Sequence, residues 1–276
     1  MTTVLVLGCG PAGLLAAHAA SYVEGAKVVI VSAKRRSDLY GCQYLHSAIP
    51  GLRLARTEVS YELLGNVADY EAKVYGAPGA GGPVSPTLFS GRYPAWDIRQ
   101  AYDLLWSRYE AKILDVQLSP EMIRPMIEYY EADLVVSSVP LPVLCQRPEE
   151  HSFSGITCWA MGDAPALGQR VPVPCPEDTV ICDSTRDTGY YRVSRVFGHS
   201  TVEWPGHRHR PPIEGVVKFT KPLATTCTCW LGIGDTPDQR PVVHRVGRFG
   251  RWQKGILAHE AFNDTIKALS ALAEKV

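Results

Sequence analysis

The chain has 276 residues, with 28 Lys and Arg balanced by 28 Asp and Glu. That length buries a sizeable core, in one large domain or two interleaved ones. A net charge near zero does not by itself announce a nucleic-acid or membrane partner, though a local patch stays open, and no apolar run approaches the roughly 20 residues that span a bilayer.

Residues 4–7 read as a short strand buried on both faces. It breaks at Gly8, and small apolar residues continue at helical spacing through Ala20. Residues 26–31 supply a second strand. Gly8, Gly10 and Gly13 thus occupy the G-x-G-x-x-G positions of a dinucleotide fingerprint. Gly8 makes the tight turn, Gly10 lets a pyrophosphate approach the backbone, and Gly13 lets helix and strand pack closely. Pro11 and Ala12 open the helix, whose free N–H groups face the phosphates. The N-terminus enters this strand at once, so no signal peptide is expected. A cytoplasmic location follows, with the eight cysteines as reduced thiols.

Where an acidic residue usually ends the second strand, the chain has Ser32, followed by Ala33, Lys34, Arg35 and Arg36. Two cofactors stay open at this point. NADP would use the basic residues for its 2′-phosphate; FAD would take Ser32 on a ribose oxygen. Residues 37–51 mix Gly, Gln43, His46 and aromatics before a Pro-Gly turn. They either line a ring-shaped cofactor, with His46 a candidate catalytic group, or form a crossover loop with His46 hydrogen-bonded in a core.

Residues 76–86 form a Gly- and Pro-rich loop. Asp97 caps a helix with Gln100 closing a capping box, and Ile98, Tyr102, Leu105 and Tyr109 form its packing face. Ser119 and Pro120 begin another, whose apolar side carries Met122, Ile123, Met126, Ile127 and Tyr130. Residues 133–137 return as a buried parallel strand, ended by Pro140 and Pro142. Residues 51–130 therefore read as a helical excursion.

From 155 to 234 short alternating runs recur between Gly, Pro, His and Asp, the pattern of an antiparallel sheet with hairpins. One turn falls at residues 197–200. Arg192 and Arg195 differ in parity on one strand, so the strand bulges or one arginine points away from any site. The basic run at 207–210 is either a solvated turn or a phosphate contact. No cysteines form C-x2-C pairs, so buried inert thiols are expected and no metal site. Near the C-terminus a strand, a glycine-rich turn at 246–255 and a helix over 256–273 repeat the first motif, bringing another helix N-terminus and an arginine near an anion.

Several stretches, among them Leu134 to Pro140, carry a resemblance to a family. Gly8-Cys9-Gly10-Pro11-Ala12-Gly13-Leu14 resembles the FAD pyrophosphate loop of the glutathione-reductase-like superfamily, in the branch of UDP-galactopyranose mutase, protoporphyrinogen oxidase and amine oxidase. Val246-Gly247-Arg248-Phe249-Gly250-Arg251-Trp252 is similar to the mutase motif that reaches the flavin and its diphosphate. The stretch from Asp183 to Val193 is similar to a mutase segment leading into a sheet strand. Ser32 and Arg195 depart from the pattern, each standing where the family carries an acidic residue, and the excursion is short for a mutase.

The resemblance implies an α/β protein: a Rossmann-like FAD-binding domain (1–50, 131–150 and 240–276), a helical excursion (51–130) and an antiparallel-sheet substrate domain (151–239). It implies FAD held by Gly8, Gly10, Pro11, Ala12, Gly13, Ser32, Ala33, Lys34, Gln43, Gly247, Arg248 and Trp252, with His46 and Arg192 at the reacting end. The expected activity is FAD-dependent oxidation of a small polar substrate such as an amine, amino-acid or nucleotide derivative. Two alternatives stand beside it. One is mutase chemistry on a sugar nucleotide, with Arg192 and Arg251 on its phosphates; the other is a non-enzymatic FAD- or NADP-binding module.

Overall fold

The computed structural model of the chain describes residues 2–41, 44–77, 79, 89, 91–161, 175–229 and 242–274. β1 (Thr3–Leu7), α1 (Pro11–Ala20) and β2 (Lys27–Ser32) form in the order the fingerprint requires. β1 is buried along its whole length because it has a parallel neighbour on each side. Val4 lies opposite Val28 on β2 and opposite Leu134 on β6 (Leu134–Ser137). β5 (Ile113–Asp115) adds beyond β2, and β12 (Val242–Arg245) beyond β6. The result is a five-stranded, all-parallel sheet in the order β12-β6-β1-β2-β5.

Parallel sheets need both faces covered. On one face α1 lies between the sheet, α3 (Ile98–Tyr109) and α7 (Glu260–Ala273), which is why its apolar residues run all round it. Leu14, Leu105, Tyr102 and Phe262 meet there. On the other, α4 (Pro120–Tyr130) and α5 (Leu141–Leu144) bury Ile123, Ile127, Leu141 and Leu144 against Leu5 and Val135.

The second sheet has seven strands, in the order β11-β7-β10-β9-β8-β3-β4. They are β3 (Arg56–Leu64), β4 (Arg92–Trp96), β7 (Phe153–Met161), β8 (Thr179–Asp183), β9 (Arg192–Val196), β10 (His199–Pro205) and β11 (Val217–Thr225). β3 and β8 pair in parallel, Ser60 opposite Thr179, so the sheet is mixed rather than antiparallel throughout. Hairpin β9–β10 closes through Phe197 (φ 53°) and Gly198 (φ 74°), the two left-handed residues that a type I′ turn requires. Its register is regular, without a bulge. Arg195 accordingly points away, to an exposed pair with Glu177 at 2.6 Å.

Residues 51–130 are less helical than expected. They give β3 and β4 to the second sheet and β5 to the first, and their α-helices among the described residues are α2 (Val67–Tyr75), α3 and α4. The strand pattern was present in β3: Thr57, Val59, Tyr61 and Leu63 alternate with the exposed Arg56, Glu58, Glu62 and Leu64. Asp97 does cap α3, accepting from the Arg99 and Gln100 amides at 2.8 and 3.2 Å. Gln100 does not close the box; its side chain accepts from Ala55 N–H at 2.7 Å and fastens the approach to β3. Near the C-terminus a short helix, α6 (Gly247–Arg251), intervenes after β12, so the long helix starts at Glu260 rather than 256. Among the described residues no helix is long and apolar enough to cross a membrane.

Candidate functional site

A cavity of about 630 Å³ opens where the carboxyl ends of β1, β2 and β6 face the second sheet. Of the residues expected at a site, Gly8, Gly10, Pro11, Ala12, Ser32, Ala33, His46, Arg192, Gly247 and Arg248 all line it. Residues from both ends of the chain and from its middle therefore meet in one space.

The glycine turn is built for two different reasons. Gly8 has φ +101°, donates to Val31 O at 2.9 Å, and a side chain there would stand 2.5 Å from Ser138 Oγ. A side chain at Gly13 would collide with the Gly8 carbonyl, so Gly13 serves helix–strand packing and does not face the cavity. Gly10 is unlike both. A Cβ there would meet only Ser37 Oγ at 3.4 Å, and the rest of its surroundings is open. Protein packing does not demand glycine at this position, and the backbone here is open to the cavity. Ser32 Oγ accepts from Cys9 N–H and donates to Ala33 O, both at 3.2 Å, tying the turn to the end of β2.

Two more expected site residues, Lys34 and Trp252, lie away from the cavity wall. Lys34 is exposed, its amide donating to Asp115 Oδ1 at 2.8 Å, outside the cavity wall. Its neighbour Arg36 pairs with Asp103 over the rings of Tyr102 and Trp106, so only Arg35 of the basic trio reaches the wall. Trp252 ends α6 in a left-handed conformation (φ 50°), which turns its indole back into the core. There it donates to Ser154 O at 3.0 Å and packs edge-on against Phe153. Gln43 lies outside the described residues.

Arg248 does line the cavity, with its guanidinium anchored on Pro222 O of β11 at 3.0 Å from Nη2. It braces α6 against the second sheet. Burial is the main influence holding its pKa below the usual arginine value.

The opposite wall is a charged group that sequence reasoning missed apart from Arg192. Glu203 on β10 is 0% exposed. It accepts from Arg192 Nε at 2.8 Å and from Lys221 Nζ and the Tyr191 hydroxyl, while Lys221 also donates to that hydroxyl at 2.8 Å. Burial works to raise the Glu203 pKa, but Arg192 and Lys221 outweigh it and hold the carboxyl well below its usual range. Burial, then Arg192, lowers the Lys221 pKa against the pull of Glu203. The sequence did hold a signal: a lone acidic residue between the apolar Val202 and Trp204.

His46 stacks on Tyr44, ring centroids 4.5 Å apart, with His259 5.9 Å away. Burial first, and His259 second, pull its pKa down to about 4. It is a neutral imidazole near neutral pH, and the same burial disfavours its protonated form. Away from the cavity, Cys145, Cys227 and Cys229 converge with His151 rather than lying scattered as inert thiols.

A parallel sheet wrapped by helices, a mixed second sheet and a glycine turn at the cavity between them define an α/β architecture. No known family profile matches the chain, and no curated protein matches its sequence. Solved structures do share the fold. Reduced UDP-galactopyranose mutase is 9% identical, over 100% of this chain and 96% of that one, with a TM-score of 0.53. 2-Methyl-3-hydroxypyridine-5-carboxylic acid oxygenase is 14% identical, over 100% and 82%, with a TM-score of 0.54. CtdE, solved with FAD and a substrate, is 11% identical, over 99% and 81%, with a TM-score of 0.51. The chain has the fold of these flavoenzymes.

Proposed function

We propose that the chain binds FAD in this cavity and is an FAD-dependent oxidoreductase acting on a small polar substrate, an amine, amino-acid or nucleotide derivative. The observation that carries the reading is the wall at Gly10, open to the cavity where packing asks for no glycine. Gly8, Gly10, Pro11 and Ala12 would hold the pyrophosphate, Ser32 and Ala33 the nucleoside end, and Gly247 and Arg248 the opposite side. FAD, when bound, supplies a two-electron acceptor.

The remaining wall suits the substrate. Arg192 and Lys221 against Glu203 leave one net positive charge beside the cavity, which favours a substrate bearing a carboxylate or phosphate. His46, half-buried at the cavity wall and neutral near neutral pH, is placed to hydrogen-bond to it. The fold shared with an oxygenase and with a protein solved with FAD supports the redox reading. Mutase chemistry draws less support, because Arg251, paired with Asp264, lies outside the cavity wall and is not placed to hold a sugar nucleotide's phosphates. A cytoplasmic setting fits the free thiols of all seven described cysteines.

The purified protein should be yellow, release FAD on denaturation, and bleach anaerobically with a member of an amine and amino-acid panel. A protein that stays colourless after incubation with FAD, yet binds NADP, overturns the assignment. A flavin that binds but is bleached by no member, while a UDP-sugar is isomerised by the reduced protein, moves it to the mutase.

A further inference from the structure

Cys145 follows α5, His151 precedes β7, and Cys227 and Cys229 follow β11, yet one ligand atom from each falls within 4.8 Å of all the others. Cys145 Sγ is 3.5 Å from Cys227 Sγ and 3.8 Å from Cys229 Sγ, and Cys229 Sγ is 3.3 Å from His151 Nε2. These are not disulfide separations, which are about 2.05 Å. They match the edges of a tetrahedron around one ion. Sulfurs about 2.3 Å and a nitrogen about 2.1 Å from zinc stand about 3.8 Å (S···S) and 3.6 Å (S···N) apart. Inert buried thiols have no reason to converge on a ring nitrogen in this shape.

We propose that Cys145, His151, Cys227 and Cys229 form a structural zinc site. Four protein ligands close the coordination sphere, which separates a structural site from a catalytic one. Three thiolates and a neutral imidazole on a divalent ion leave one net negative charge. Arg245, at the end of β12, offsets it: Nη1 donates to Cys227 O at 3.0 Å and Nη2 to Cys229 O, while its buried Nε has no partner among the described residues. The same contacts hold the Cys-Thr-Cys backbone in place, as outer partners of metal ligands do.

Position gives the ion its role. Cys145 and His151 lie on the connection from the first sheet to β7, Cys227 and Cys229 on the segment beyond β11, and Arg245 on the edge strand of the first sheet. One ion would fasten the second sheet to the first. None of the four ligands lines the cavity, so the proposal stands apart from the flavin assignment.

The test is metal analysis of tag-free, full-length protein purified under reductant without chelator from zinc-supplemented cells. About one zinc per chain is expected, as a closed four-ligand site requires. Stripped protein titrated with cobalt(II) should give the intense visible bands of tetrahedral cobalt and a thiolate charge-transfer band, saturating at one equivalent and erased by zinc. A Cys227→Ser, Cys229→Ser double variant should lose them, and Cys175→Ser, outside the cluster, should keep them. Zinc far below stoichiometry, with no tetrahedral cobalt spectrum in the wild type, overturns the proposal. So does a double variant that keeps its metal. Should that variant not fold, the wild-type titration decides alone.

Discussion

Gly10 and Gly13 sit three residues apart in one turn but answer to different demands. Valine at Gly13 drives a side chain into the Gly8 carbonyl and should destabilise the fold by several kcal/mol, or prevent folding. Valine at Gly10 meets little protein, so the variant should keep its circular dichroism and melting temperature while losing flavin. A Gly10→Val protein that holds FAD at wild-type occupancy removes the fingerprint from the site. Arg248 is the other residue to test. A charge-assisted contact to the cofactor is worth about 1.5–3 kcal/mol, or one to two decades in affinity. Titration of apo-protein should show Arg248→Ala weakened by that order. Arg208→Ala, exposed and outside the cavity wall, should match the wild type.

At the scale of strands, β9 and β10 carry two ion pairs of opposite consequence. Arg192 and Lys221 share the fully buried Glu203, whereas Arg195 and Glu177 are 49% and 45% exposed. Glu203→Gln leaves the half-buried Arg192 and Lys221 without their counter-charge; breaking a fully buried group costs about 3–5 kcal/mol, so a loss toward the lower end is expected. Arg195→Ala should cost under about 1 kcal/mol. Urea unfolding of both variants reads the difference; equal midpoints would mean Glu203 is solvated. Strand pairing also marks what the sequence could reveal. The glycine turn was legible because its spacing is local, and so were α3 and the β9–β10 turn. The parallel pairing of Ser60 with Thr179 was not, since nothing in either segment names its partner. Trp252 was misplaced because one left-handed residue redirects a side chain that the motif alone aims at the cofactor. The cysteine cluster escaped because its members come from two segments far apart in the chain, with no metal-ligand spacing between them.

For the whole molecule, acid should be the weak side. His46 titrates at about 4 in the folded protein against 6.5 when unfolded, and burial also lowers His18, His244 and His259. Between those values the unfolded chain binds more protons, so stability falls as pH drops from 6.5 towards 4. Glu203 acts lower still. Its folded pKa lies beneath the unfolded 4.5, so its contribution is complete above 4.5 and drains away below it. Urea midpoints should be level near pH 7.5 and decline steadily from 6.5; a flat profile down to pH 5 would refute the burial of these histidines.

The edge position of β12 bears on how the protein is made. Val135 of β6 must find Val243, which is synthesised long after it. At about 5–20 residues per second, β6 waits on the order of ten seconds with a row of N–H and C=O groups unpaired. Its four residues are all buried in the finished fold, so the waiting surface is apolar as well. A nascent chain halted before Val242 therefore displays a bare strand edge, a surface that recruits chaperones or seeds aggregates.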